Sequence, residues 1–321
     1  KQSHNAWNIA TVSDMRGIYY GARSLNQPLE SWDTSSVRNM KSAFKEAESF
    51  NQDLPWVTSR VEHMEEIFNK AHRFNGDVSS WDTSRLTSMY AMFQYAHTFN
   101  GSLLSWNVRR VKSMENTFKD AVSFEGGDLN AWDVRQVTTF LSTFENAVSF
   151  SGNISEWQLQ NAQSIGRMFS NATEFSGDVS RWSVSGVENF FGAFQNAASF
   201  NADLSSWDTS SGVNFASLFA ISPFNNDISS WNVARSHYFT YMFFNAKNFD
   251  QDVSSWNIEK AKSTAYMFFN ASSFRQNLCS WRGQINTTGV DTVFMFDGSG
   301  CPLTNEPGTD GPFCFACGTS F

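Results

Sequence analysis

The sequence predicts a repeat solenoid of the α/β class: a single stack of about twelve coils with short parallel strands, closed by a disulfide-bonded C-terminal cap. Three observations predict it. The 12 Trp residues stand at Trp7, Trp32, Trp56, Trp81, Trp106, Trp132, Trp157, Trp182, Trp207, Trp231, Trp256 and Trp281, always 24, 25 or 26 residues apart. Two aromatic columns recur at fixed offsets from each Trp. After Trp281 the period stops, and all four Cys lie from Cys279 onward. A unit of this length cannot bury a core alone and becomes stable only by stacking on its neighbours. Residues 1–281 are therefore assigned to repeats and 282–321 to the cap.

Aligning on Trp gives W-D/N-V/T-S-x-V-x-x-M-x-x-x-F-x-x-A-x-x-F-N-x-D-L-S-S. The stretch from Asp203 to Asp208 fits an L-x-x-L-x-L template with Trp in the middle hydrophobic slot. It is predicted to be the short strand, with Leu, Trp and Val or Thr turned inward. The V-x-x-M-x-x-x-F-x-x-A segment has apolar residues at i, i+3 and i+7, the spacing of a short helix or helical turn. Its first Phe column runs from Phe44 and Phe68 to Phe268. The second runs from Phe50 and Phe74 to Phe274, with Phe224 one residue early. F-N-x-D supplies turn formers that return the chain. Met40, Met64, Met89 and Met114 share their column with Phe140, Phe190, Phe215 and Phe239, which makes it core and not a cofactor box.

These repeats, seen clearly from Asn51 to Ala71 and from Asn201 to Phe219, resemble the 25-residue units of BspA-like leucine-rich-repeat surface proteins. The resemblance covers Trp7 to Trp281. It implies an exported surface solenoid with adhesion or ligand binding as its role, and it implies no catalytic residues.

Composition narrows the function. The chain has 23 basic and 31 acidic side chains, a net charge of −8, which argues against a nucleic-acid partner. No apolar run approaches the ~18 residues of a membrane span. The chain opens at Lys1 without Met or an apolar leader, as a mature or trimmed product does. No Gly-rich phosphate loop, G-x-S-x-G elbow or H-E-x-x-H occurs, so the expectation is a non-enzymatic protein without a cofactor.

Cys279, Cys301, Cys314 and Cys317 fall where the last coil would otherwise expose Phe and Leu. Two disulfides stapling the cap are the economical reading, in any of three connectivities. Zinc is the rival, since Cys314-Phe-Ala-Cys317 is a C-x-x-C pair. Disulfides imply an oxidising compartment. Sequons at Asn100, Asn153, Asn171, Asn270 and Asn286 agree with export to the cell surface or extracellular space.

The outward position after Trp carries Asp33, Asp82, Asn107, Asp133, Gln158, Asp208, Asn232 and Asn257; two residues on come Arg109 and Arg135. Such a polar strand face suits a glycan or a surface protein, and its oxygens would suit Ca²⁺. A solvated face that merely fits its turns is the alternative reading. A second acidic column, including Asp77, Asp178, Asp203, Asp227 and Asp252, either caps turns or binds cations. His72 and His97 share an offset in adjacent repeats and are expected to be neighbours. The inserted residue near Gly126-Gly127 and the short unit at Ser222-Pro223 are expected to mark contact sites. The leading function is extracellular recognition of glycan or a surface protein through the strand face. The alternative is a structural subunit of an extracellular assembly, docking through its terminal coils.

Overall fold

A computed structural model describes residues 7–285 and 289–318. Two compact units, residues 1–161 and 162–321, each hold their own stack of coils.

The spine of each stack is the V-x-x-M-x-x-x-F-x-x-A segment. In the coil that follows Trp32, the amides of Met40, Ser42, Phe44 and Glu46 donate to the carbonyls of His63, Glu65, Ile67 and Asn69 in the next coil, at 2.8–2.9 Å. The amides between them turn back on their own coil. Ala43, Lys45 and Ala47 donate to the carbonyls of Met40, Ser42 and Phe44, and Lys41 donates to Asn39 Oδ1. Every amide from Met40 to Ala47 is thus satisfied, which a buried backbone requires. Parallel bridges pin the start of the segment: Asp14 to Asn39 and Asn39 to His63 in the first unit, and Ser164 through Asn189, Asn214, Tyr238 and Ser263 to Asp291 in the second.

This corrects the predicted α/β class. Among the described residues no α-helix occurs, the strands reduce to isolated bridges, and the one helical element is a 3₁₀ turn at Cys279–Trp281. The segment read as helical cannot be a helix, because two of its residues per coil are left-handed: Ser42 and Glu46 (φ 55° and 61°), Glu66 and Lys70, Asn116 and Asp120, Asn245 and so on. A positive φ at the third residue of a turn is what type II turns need. The chain therefore runs as successive turns whose spare amides face the neighbouring coil. The predicted strand around Trp is also irregular, with a turn at Ser205-Ser206. Its inward residues were correctly read: Leu204, Trp207 and Thr209 are all buried.

Ring columns fill the core. In the first unit Phe44, Phe68, Phe93, Phe118 and Phe144 stack at 5.5–5.6 Å between centroids. In the second, Phe169 through Phe194, Phe219, Phe243 and Phe268 to Phe296 do so at 5.4–6.0 Å. Tyr19 heads the first column, stacked on Phe44 at 5.7 Å, and burial pushes its hydroxyl pKa up to about 12. From Phe44 to Phe268 each first-column ring also lies against the second column, as Phe68 does on Phe74 at 3.7 Å. The early Phe224 regains register, 4.0 Å from Phe219 and 6.2 Å from Phe200. The indoles form a third column, with Trp56, Trp81 and Trp106 spaced by 6.5 and 6.2 Å and their planes nearly parallel. Met40, Met64, Met89 and Met114 are fully buried, as a core column should be.

The insertion at Gly126-Gly127 is absorbed by the backbone. Both glycines have positive φ, and a Cβ on Gly126 would meet the Phe150 ring at 2.5 Å. The looped-out chain gains an extra parallel bridge, Asp128 to Asn153.

The end of the second unit is covered by the cap. Cys279 bonds Cys317 and Cys301 bonds Cys314, so the two halves of the C-x-x-C pair serve different bridges. Phe296, Phe313 and Cys314 are fully buried there. The Leu278 amide donates to the Phe313 carbonyl, and Arg282 pairs with Asp310 at 3.1 Å.

Candidate binding face

The outward position after Trp is occupied mainly by side chains that bond to their own turn. Asp33 Oδ1 accepts the amide of Ser35 at 3.0 Å and Asp82 that of Ser84 at 2.9 Å; Asn107 takes Arg109 and Asp133 takes Arg135. In the second unit Asp208, Asn232 and Asn257 do the same to Ser210, Ala234 and Glu259. A short acidic or amide side chain reaching its own backbone two residues on is an Asx turn, the reason Asp and Asn interchange freely here.

The second acidic column behaves alike. Asp77, Asp178, Asp203, Asp227 and Asp252 accept the amides of Ser79, Ser180, Ser205, Ser229 and Ser254 at 2.8–2.9 Å. The capping alternative thus describes how these oxygens are used. Hydrogen bonds to the charged form favour it. Asp77 and Asp203 lie below the ordinary carboxylate range through backbone and then side-chain bonds to Ser79 and Ser205. Asp82, Asp178 and Asp208 do so through side-chain and then backbone bonds to Ser84, Ser180 and Ser210.

A third ladder went unread in the sequence. The Asn after the second aromatic column, which Leu25 fills in the first coil, accepts the amide of its successor in the next coil: Asn26 from Asn51, Asn51 from Asn75, Asn75 from Asn100 and Asn100 from Glu125, at 2.8–3.0 Å. Its signal was the F-N pair of the consensus.

The first unit carries a groove lined by several long polar side chains. This groove, of about 670 Å³, is lined by Arg109, Asp133, Arg135 and Gln160 together with Thr87, Arg110, Lys112 and Gln136. Arg135 grips Asp133 with two bonds, Nε to Oδ1 at 2.8 Å and Nη2 to Oδ2 at 2.6 Å. That grip holds the Asp133 carboxyl below its usual range, helped by the nearby Arg109. Gln158 lines a smaller adjoining groove of about 220 Å³ with Asn130, Arg135 and Glu156. The structure thus gathers Arg109, Asp133 and Arg135 at one groove, with Gln158 beside it, while Asp33, Asp82, Asn107, Asp208, Asn232 and Asn257 line none of these grooves. Arg110 and Lys112 were missed because the alignment follows columns, whereas the Arg-Arg-Val-Lys run at 109–112 is a local departure from them.

His72 and His97 are neighbours, their rings stacked at 4.6 Å. Burial, and then the adjacent His72, hold His97 below the ordinary histidine range. Among the described residues no group of three or more His, Cys, Asp or Glu is placed to hold a metal ion. Of the sequon residues, Asn100 and Asn153 are exposed, Asn171 and Asn270 are half-buried, and Asn286 lies outside the described residues. The short unit at Ser222-Pro223 borders a groove of about 570 Å³ with Ile221 and Lys247.

Stacked coils joined by a parallel backbone ladder, with an aromatic core and two disulfides in the cap, define a repeat protein of an oxidising compartment. The chain belongs to the family described as Mycoplasma protein of unknown function, DUF285, which it matches at residues 1–103, 76–182, 123–223 and 163–281. Among solved structures it is similar to a chain of the Drosophila Toll–Spatzle complex, at 10% identity and a TM-score of 0.29, covering 84% of this chain and 36% of that one. A chain of the TLR13–ssRNA13 complex matches at 13% identity and a TM-score of 0.25, over 77% of this chain and 46% of that one. The chain therefore spans less than half the length of either. No curated protein matches it. No helix among the described residues is long and apolar enough to cross a membrane.

Proposed function

We propose that the protein is a non-enzymatic extracellular recognition module that binds a glycan or a surface protein through its polar turn face. The observation that carries this reading is the groove at Arg109, Arg135 and Gln160, where Arg109 and Arg135 extend from turns that take up their own amides. Asx turns hold the backbone rigid, so the longer side chains are presented on a fixed frame. The two disulfides and the resemblance to BspA-like surface proteins support an address at the cell surface.

The test is binding of the purified, non-reduced protein to arrayed glycans and surface proteins, with calcium and with EDTA. A ligand should be found whose binding falls when Gln160→Ala and Arg135→Ser are introduced, with the melting temperature unchanged. Binding indifferent to both substitutions would remove the face from consideration. It would point to assembly through the terminal coils.

A further inference from the structure

We infer that the groove on the first unit is a site for a linear polyanionic polysaccharide, whose sulfate or uronate groups are held by Arg109, Arg110 and Lys112; this rests on the recognition reading above. The chain as a whole carries a charge of −8, yet this groove gathers four cationic side chains and one carboxylate. That carboxylate, Asp133, is already held by both arms of Arg135. Arg109, Arg110 and Lys112 are exposed and have no ion-pair partner among the described residues. Like charges brought together on a rigid frame repel one another, and an oxyanion between them relieves that cost.

The positive line continues beyond the groove. Arg110 also borders a second one of about 330 Å³, shared with Arg85. The acid there, Glu62, lies between Arg38 at 3.3 Å and Arg85 at 3.5 Å and is neutralised by them. Coil by coil, the face therefore presents repeated cations, which fits a ligand with repeated anions better than a single small one. Guanidinium forks match sulfate and carboxylate oxygens. Gln136, Gln160 and Thr87 add neutral donors and acceptors suited to sugar hydroxyls. No aromatic side chain lines the groove, so the stacking that single-stranded nucleic acid uses is missing.

The experiment measures binding of the non-reduced full chain to immobilised dextran sulfate, alginate and uncharged dextran, at about 50 mM and about 500 mM NaCl. The variant R109S/R110S/K112T replaces each cation with a residue that other coils carry at the same place, namely Ser84 and Ser210, Ser211, and Thr87 and Thr138. The control R235S/K260S removes two cations from the second unit.

Binding to a polyanion that falls at least tenfold in the triple variant and in high salt, but not in the control, is the expected result. Dextran sulfate alone would identify sulfate as the anion, and both polyanions together would identify charge as the determinant. Equal binding to uncharged dextran, no binding to either polyanion, or full binding by the triple variant would overturn the inference. A neutral ligand still lost on Gln160→Ala would leave the recognition reading standing without it.

Discussion

The carbonyl oxygen of Leu54 accepts two hydrogen bonds, one from the amide of Trp56 at 2.7 Å and one from the indole Nε1 of Trp81 in the next coil at 2.8 Å. The same bond joins Trp106 to Val78, Trp132 to Leu103 and Trp231 to Leu204. Tryptophan is thus kept at this position for two reasons at once: the ring fills the column, and the N–H ties one coil to the previous one. Replacing Trp81 by Phe removes the donor and part of the ring. We expect a loss of about 1–3 kcal/mol, and about 3–5 kcal/mol for Trp81→Ala. Urea unfolding followed by far-UV circular dichroism checks both. Equal stability of Trp81→Phe and the parent would mean that the tie contributes nothing.

Acid should weaken the stacks through their turn caps. Asp77, Asp203 and Asp227 each have a carboxyl held below its ordinary value by backbone and side-chain bonds to Ser79, Ser205 and Ser229. A carboxyl with a folded pKa below its unfolded one contributes stability above the unfolded value and loses it as pH falls through the folded value. The contribution of these three carboxyls should therefore stay level down to about pH 5 and be lost below about pH 4. The triple variant Asp77→Asn, Asp203→Asn, Asp227→Asn keeps the acceptor oxygen. Lacking the charge, it should melt somewhat below the parent at pH 7 and lose less between pH 7 and pH 3. An undiminished acid loss would assign the effect to other groups.

Ile221 has a φ of 60° and is about half exposed. A β-branched residue in that region is strained. At the corresponding turn the neighbouring coils carry Asn171, Asn196, Asn245 and Asn270, a residue type that tolerates the left-handed conformation. Ile221→Asn should stabilise the protein by about 1 kcal/mol, read as a rise in melting temperature. No change would show that the coil relaxes around the isoleucine at no cost.

The core was legible because it is written in identity and interval. Trp207, Phe219 and Leu204 repeat at offsets that only stacking explains, and all are buried. Backbone conformation was not written there. Met40, Ala43 and Ala47 have helical spacing, but a run of turns with left-handed residues four apart puts the same side chains inward. The readable clue was the type of residue: Gly17 and Gly21 in one coil, and an Asn column from Asn146 to Asn270 in later ones, all with positive φ. The polar face was legible as a face, but not which of its side chains are taken up by their own turns. Asp33, Asp82 and Asp208 spend their oxygens on their own turns, and only proximity across coils brings Arg109, Arg110, Lys112 and Arg135 to one groove.

Both covalent bridges tie the cap, and within each unit the described coils before Cys279 share backbone ladders and ring columns that recur from junction to junction. A gene duplication or deletion of one whole unit would leave every remaining junction with a matching partner and no bridge to rewire. Length is then the property this architecture can vary most freely over evolutionary time. The number of turns presented to a partner can change in single steps, while the rules that fold each turn stay the same.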